Sequence, residues 1–106
     1  MRDIRGKRAL ITGAASGIGR AIALEFARQG IHLYLVDVNP DGLAQVAAEA
    51  RFHGIEVATR QCDVSQPTQI TACTNAILCT WGGLDILVNN AATNPYLGPA
   101  IDIDPP

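Results

Sequence analysis

The sequence predicts an α/β fold, a doubly wound parallel β-sheet with helices on both faces. Short apolar runs alternate with segments of helical periodicity up to Asn90, in the order β-α-β-α-β-α-β. Glycine, proline or asparagine separates the segments and marks the turns. Strands that are apolar along nearly their whole length are buried on both faces, as they are in parallel sheets.

The first strand and helix flank a glycine-rich stretch. Arg8–Thr12 is an apolar run that is long enough for a buried strand and too short for a helix. From Gly17 onward, Ile18, Ile22 and Phe26 recur at every fourth position, and a glycine then ends the helix. We therefore expect these three side chains to face the sheet.

The second strand and helix follow the same rules. His32–Val38 is apolar and β-branched, which predicts a buried strand. Asn39 and Pro40 then mark a helix start, because asparagine caps free amide groups and proline lacks the amide that would need a partner there. The helix is expected to end at Gly54. Its predicted buried residues are Leu43, Val46, Ala47 and Ala50.

A third strand, a third helix and a fourth strand complete the pattern. The strands are predicted at Ile55–Arg60 and Leu84–Asn89, and the helix opens at Ser65. Its predicted buried residues are Ile70, Cys73, Ile77 and Trp81. Right-handed crossovers favour the strand order 3-2-1-4, with ligands bound beyond the carboxyl ends of strands 1 and 4. No complete element is expected after Asn90.

Three glycines, Gly13, Gly17 and Gly19, lie where the first strand turns into the first helix. Glycine lets the backbone turn tightly and lets amide groups at a helix N-terminus approach an anion. The spacing is G-x-x-x-G-x-G rather than the commoner dinucleotide pattern G-x-G-x-x-G, and no Lys-Ser/Thr follows as in a P-loop. By itself this stretch also fits a loop that only needs a flexible backbone.

Asp37 adds a second signal. It lies at the end of strand 2, 18 positions after Gly19, close to the roughly 20-residue offset of an acid that binds the adenosine ribose. The alternative is a solvated carboxylate at a helix entry. A phosphate on that ribose would be repelled by about 1 kcal/mol in water and about 4 kcal/mol near a protein surface. No arginine stands at position 16 or 38 to offset this, so NAD is predicted rather than NADP.

These residues resemble the short-chain dehydrogenases/reductases. Thr12–Gly19 (TGAASGIG) matches the TGxxxGxG cofactor turn of that family, and Asp37 matches its NAD-selecting acid. The resemblance implies a single Rossmann-type domain over residues 1–106, truncated after strand 4, with a core at 1–92 and an irregular tail at 93–106. The residues of the turn that it implies at the dinucleotide are Gly13, Ser16, Gly17, Ile18 and Gly19.

Two later motifs extend the resemblance over nearly the whole chain. Cys62–Ser65 (CDVS) is similar to the end of the family's third strand, where two residues face the adenine. Val88–Ala92 (VNNAA) is similar to its NNAG motif, which braces the sheet beside the cofactor, and Ala92 replaces the last glycine. The further cofactor-site residues that the resemblance implies are Asp63, Val64, Asn89, Asn90 and Ala91.

The family's catalytic serine and Tyr-x-x-x-Lys pair have no match here. Neither Tyr34 nor Tyr96 has a lysine four positions later, and Lys7 is the only lysine. Ser16 and Ser65 fall inside the cofactor motifs. The resemblance therefore implies the NAD-binding amino-terminal part of an oxidoreductase that acts on a small alcohol or carbonyl substrate. No catalytic residue is predicted, and the chain is expected to be inactive alone.

Composition and charge limit the kinds of molecule that the chain is expected to bind. The net charge is −2 without a Lys/Arg cluster, which argues against binding to nucleic acid. No signal peptide and no apolar run of about 18 residues is visible, so a cytoplasmic protein that does not enter a membrane is expected. The three cysteines lack metal-ligand spacing and are interpreted as buried thiols, with no metal site.

Two other functions remain open. The chain could be a short protein that binds NAD or an adenine nucleotide without turnover. It could also be an interaction protein whose fourth strand, as an open apolar edge, pairs with another chain. The resemblance implies a homo-oligomer, and the open strand predicts self-association.

Overall fold

The fold is a five-stranded sheet with three helices in the computed structural model, which describes residues 4–90 and 100–103. The strands are β1 (Arg8–Thr12), β2 (His32–Asp37), β3 (Val57–Gln61), β4 (Ile86–Asn89) and β5 (Ala100–Ile103). The helices are α1 (Gly17–Arg28), α2 (Pro40–Arg51) and α3 (Pro67–Trp81). The sheet order is β3-β2-β1-β4-β5, and the first four strands are parallel. The predicted fold and the order 3-2-1-4 are thus confirmed.

β5 departs from the sequence prediction, which has no complete element after Asn90. It pairs antiparallel with β4, and Val88 lies opposite Ile101. β4 is therefore hydrogen-bonded on both sides, and the prediction that it forms an open edge is wrong, which removes the basis for the predicted self-association through that strand. Residues 91–99 and 104–106, which include Ala91, Tyr96 and most of the predicted tail, lie outside the described residues.

The main core lies between the sheet and the helices α1 and α2. The four residues of α2 that were predicted to be buried are buried in the structure. On α1, however, the buried residues are Gly19, Ala23 and Ala27, whereas Ile18 is 58% exposed. Small side chains let the helix backbone approach the sheet closely. The larger Ile22 and Phe26 are only half-buried and pack at the margin of this core.

The opposite face of the sheet carries a second, smaller core under α3. Tyr34 and Trp81 meet edge to face, with ring centroids 5.7 Å apart, and Cys62 and Cys73 pack beside them. The helix begins at Pro67 after an N-cap at Gln66, two residues later than a start at Ser65 would give. Ile70 is 44% exposed, so its predicted burial is wrong. No helix of the described residues is long and apolar enough to cross a membrane.

The three thiols should differ in reactivity. Cys62 and Cys73 are buried, whereas Cys79 is exposed, which corrects the expectation that all three are buried. Burial raises the pKa of the Cys73 thiol, which lowers its thiolate fraction further. In dilute solution we expect a disulfide reagent to label only Cys79 quickly, and all three cysteines after unfolding. Fast labelling that persists in Cys79→Ser would contradict this assignment.

Candidate cofactor site

The glycine-rich turn joins the carboxyl end of β1 to the start of α1. Gly13 and Gly17 have φ values of +63° and +59°, in the left-handed region that residues with side chains rarely adopt. A Cβ atom at Gly19 would overlap the carbonyl oxygen of Gly13 and would lie 2.6 Å from Nδ2 of Asn90. The first two glycines therefore allow the turn, and the third allows α1 to begin directly against it.

The first turn of α1 presents backbone amide groups at this edge of the sheet. Ser16 is the N-cap residue, and its side chain makes no capping hydrogen bond. Ser16, Gly17 and Ile18 are all exposed. The positive end of a helix dipole and amide groups without a side-chain cap favour a bound anion, such as a pyrophosphate.

The Asp37 carboxylate connects the glycine-rich turn to the start of α2. One oxygen accepts a hydrogen bond from the amide of Ala15 at 3.0 Å, and the other accepts one from the amide of Asn39 at 3.0 Å. Asp37 is half-buried at the end of β2, next to the end of β1. The carboxylate thus holds the turn in place and keeps oxygen lone pairs available at the same edge.

The first turn of α2 packs directly against the glycine-rich turn. Asn39 caps this helix, as predicted, by accepting a hydrogen bond from the amide of Gly42 at 3.1 Å. A Cβ atom at Gly42 would lie 2.8 Å from Cβ of Ala15, so a larger residue would separate the two segments. Neither Gly42 nor Ala15 is among the predicted site residues. The glycine in the first helical turn is the signal that could have indicated this close contact.

Thr12 and the two asparagines connect β1 to the end of β4. The Thr12 hydroxyl accepts a hydrogen bond from the amide of Asn90 at 2.9 Å and lies 3.2 Å from the side-chain oxygen of Asn89. The Asn90 side chain donates to the carbonyl oxygen of Gly13 at 3.3 Å. Thr12 is 8% exposed and was also missed as a site residue. The signal in the sequence that indicates Thr12 is its position as a polar residue at the end of an apolar strand.

Asp63 and Val64 follow β3 at the same edge, farther from the turn. Asp63 accepts hydrogen bonds from the hydroxyl and the amide of Ser65, at 2.7 and 3.0 Å, and these bonds lower the pKa of its carboxyl. The amide of Cys62 donates to the carbonyl oxygen of Asp37 at 3.0 Å, which ties this loop to the end of β2. Val64 is half-buried against the second core.

The structure thus brings most of the predicted residues to one edge of the sheet. The turn is in direct contact with Asp37 on one side and with Asn90 on the other. The Asp63 carboxylate accepts from Ser65, and the Asp63 amide donates to the Gln69 side chain at the start of α3. Ala91 lies outside the described residues. Within the described segments 4–90 and 100–103, no group of histidine, cysteine and acidic residues could hold a metal ion.

Comparison with known proteins gives consistent matches. Residues 7–105 match the family model of the short chain dehydrogenases. The sorbitol dehydrogenase of Cereibacter sphaeroides is 41% identical over 98 residues, which are 92% of this chain and 37% of that protein. This chain therefore spans little more than a third of the length of that relative.

Solved structures agree with the sequence comparison. The L-sorbose reductase of Gluconobacter frateurii, solved with NADPH and L-sorbose, has a TM-score of 0.82 and 42% identity over 87% of this chain and 36% of its own. A short-chain dehydrogenase/reductase of Burkholderia phymatum, solved with NAD, has a TM-score of 0.76 and 40% identity over 82% of this chain and 31% of its own. The chain belongs to the short-chain dehydrogenase/reductase family and carries the nucleotide-binding amino-terminal region of its Rossmann-type fold.

Proposed function

We propose that this chain binds NAD(H) in preference to NADP(H), as the cofactor-binding part of a short-chain dehydrogenase/reductase. The observation that carries this proposal is the Asp37 carboxylate, which lies between the amides of Ala15 and Asn39 at the edge of the sheet. Among the solved relatives, one is bound to NADPH and another to NAD. The preference of this chain must therefore follow from its own residues.

The charges around Asp37 favour a ribose without a phosphate. The Asp37 carboxylate accepts from the amides of Ala15 and Asn39, so these two amides have no free hydrogen to offer a 2′-phosphate. Arg20, in the first turn of α1, is held by both carboxylate oxygens of Glu49 at 2.8 and 2.9 Å. A phosphate at this position would therefore face the negative charge of Asp37.

In this proposal different groups of site residues contact different parts of the cofactor. Gly13, Ser16, Gly17, Ile18 and Gly19 hold the pyrophosphate at the start of α1. The exposure of Ser16, Gly17 and Ile18 supports this assignment. Asp37 accepts hydrogen bonds from the adenosine ribose. Asp63 and Val64 border the adenine, and Asn89 and Asn90 brace the sheet beside the cofactor. The family resemblance adds Ala91 to this group.

Bound NAD supplies the carbon that accepts or donates a hydride, while the protein positions the cofactor and moves the proton. The chain supplies the positioning, but its sequence has no Tyr-x-x-x-Lys pair to move a proton. We therefore propose that residues 1–106 alone do not turn over substrate. Two relatives are named for sorbitol and for L-sorbose, so we propose that the whole enzyme acts on a small alcohol or carbonyl compound.

Asp37→Ser tests the cofactor preference by fluorescence titration with NADH and NADPH. The unchanged chain should bind NADH saturably and about tenfold more tightly than NADPH. Asp37→Ser should weaken NADH binding about tenfold, because a hydrogen bond to a charged group contributes about 1.5–3 kcal/mol. The same change removes the repulsion of the 2′-phosphate and should abolish the preference.

Asp41→Ser is the matched control for this experiment. Asp41 lies in the first turn of α2 at the same edge of the sheet, is exposed and carries the same charge. Its removal should change the affinity for either dinucleotide less than threefold. Equal affinity of the unchanged chain for NADH and NADPH would contradict the role proposed for Asp37.

A further inference from the structure

A surface cavity lies at the end of the sheet opposite to the glycine-rich turn. It is bordered by the segment before β1, the turn between α1 and β2, and the turn after α2. Its volume is about 310 Å³, near the lower end of the range of small-molecule sites. The residues that line it are Arg5, Ala27, Arg28, Gln29, Gly30 and His53. The cavity is thus separate from the proposed NAD site.

Three separate segments of the chain each bring one basic side chain to this cavity. Arg5 precedes β1, Arg28 is the last residue of α1, and His53 follows α2. All three residues are exposed, and none of the described residues that line the cavity is acidic. Basic groups that converge on one place repel each other, and a bound anion relieves that repulsion. The charges of the lining therefore favour an anionic ligand.

Close backbone contacts hold the three segments in place. The amide of Gly6 donates to the carbonyl oxygen of Gly30 at 2.9 Å, which ties the segment before β1 to the end of α1. The amide of His53 donates to the carbonyl oxygen of Ala50 at 3.1 Å. A Cβ atom at Gly30 would lie 2.5 Å from Cγ of Arg5, so the Arg5 side chain crosses Gly30 directly. The positions of the basic residues are therefore set by the fold.

Glu25 is an acidic residue that contacts the lining without being part of it. Its carboxylate oxygens accept from Nη2 of Arg28 at 2.7 and 3.0 Å, and one of them accepts from the side chain of Gln29 at 2.9 Å. A guanidinium has five N–H donors in a planar fork. Within the described part of the chain Arg28 uses only Nη2, so its Nε and Nη1 donors remain for a ligand.

We propose that this cavity binds a phosphate group, either of free phosphate or of a small phosphate ester. Guanidinium groups match phosphate oxygens with two parallel hydrogen bonds, and an imidazole ring supplies a further N–H donor. Donors that come from three segments suit a tetrahedral anion, whose oxygens point in different directions, better than a planar carboxylate. A bound phosphate group would connect the segment before β1 to the ends of α1 and α2.

Titration of the full chain with inorganic phosphate, followed by the amide signals in NMR spectra, tests the proposal. Sodium chloride keeps the ionic strength constant. The signals of Gln29, Gly30 and His53 should shift saturably, with half-saturation at about 1 mM because exposed ion pairs are individually weak. Phosphate at the glycine-rich turn would instead shift the signals of Gly17 and Ile18, so the two sites are observed separately.

Arg5→Gln and His53→Gln should each weaken phosphate binding by a factor of about 3–5, the upper range for one exposed ion pair. Both residues are exposed, so the fold should tolerate the changes, which the unchanged indole signal of Trp81 checks. Glycerol phosphate distinguishes the two sources of the phosphate group. Tighter binding than that of phosphate assigns the cavity to an ester, and weaker binding assigns it to the free ion.

Arg51→Gln is the matched control. Arg51 is exposed at the end of α2 and removes the same charge, but it does not line the cavity and donates to the carbonyl oxygen of Val57 at 3.0 Å. Its replacement should change the affinity for phosphate less than about twofold. The proposal would be overturned if the cavity signals stayed in place or moved without saturating. Equal weakening by Arg51→Gln and Arg5→Gln would overturn it as well.

Discussion

Gly19→Ala is expected to lower the free energy of unfolding by about 3 kcal/mol and to abolish dinucleotide binding. The added Cβ would overlap the carbonyl oxygen of Gly13 and would lie 2.6 Å from Nδ2 of Asn90. Overpacking of a well-packed site costs about 1–3 kcal/mol and occasionally more, and the upper end applies where the clashing atom is backbone. To make room, α1 must move away from the turn, and the amide groups at its start move with it.

Urea unfolding followed by Trp81 fluorescence measures the stability, and NADH titration measures the binding. Gly54→Ala is the matched control, since a Cβ there meets nothing within 4 Å and the site is remote. Its φ of +75° should cost about 1–2 kcal/mol without changing NADH affinity. If Gly19→Ala bound NADH like the unchanged chain, the close contact of α1 with the turn would not be needed for binding.

The parallel part of the fold could be predicted because its signals are local. Runs such as Arg8–Thr12 and His32–Asp37 are apolar between their polar end residues, and the segments between them are long enough for crossover helices. The buried face of α1 was missed because the periodicity of Ile18, Ile22 and Phe26 is as regular as that of the small residues beside them. The size of the apolar side chains alone does not show which of these two rows on the helix packs closest to the sheet.

β5 was missed because its structure depends on pairing rather than on its own sequence. The stretch AIDI is short and contains an acidic residue, so its pattern does not favour a strand. Its hydrogen bonds are made with β4, an element that lies ten or more residues away along the chain. Strand formation at the edge of a sheet depends on such cross-strand context, which a local pattern does not contain.

The candidate site shows the same division between local and distant information. The glycine spacing and the offset of Asp37 could be recognised in the sequence, since both lie in consecutive elements. The bonds of Thr12 and Gly13 with Asn90 join residues more than 70 positions apart. These bonds depend on β1 and β4 being neighbours in the sheet, which no local pattern contains. The contact of Gly42 with Ala15 likewise required the packing of α2 against the turn.

Thr12→Val should lower the free energy of unfolding by about 1–3 kcal/mol and weaken NADH binding. Valine has nearly the shape of threonine, so the change removes the hydroxyl and little else. The amide of Asn90 then loses its acceptor at 2.9 Å in a largely buried place, and an unsatisfied buried donor costs about 1–3 kcal/mol. Because Asn90 also donates to Gly13, its displacement should loosen the glycine-rich turn.

Thr80→Val separates this effect from the general replacement of threonine by valine. The Thr80 hydroxyl donates to the carbonyl oxygen of Ala76 at 2.8 Å on an exposed turn of α3, where water can replace it. An exposed substitution of this kind should change stability by no more than about 0.5 kcal/mol and should leave NADH affinity unchanged. Urea unfolding and NADH titration of both variants make the comparison. If Thr12→Val destabilised the chain no more than Thr80→Val does, the Thr12 hydroxyl would not be the link that holds β4 and Asn90 against the turn.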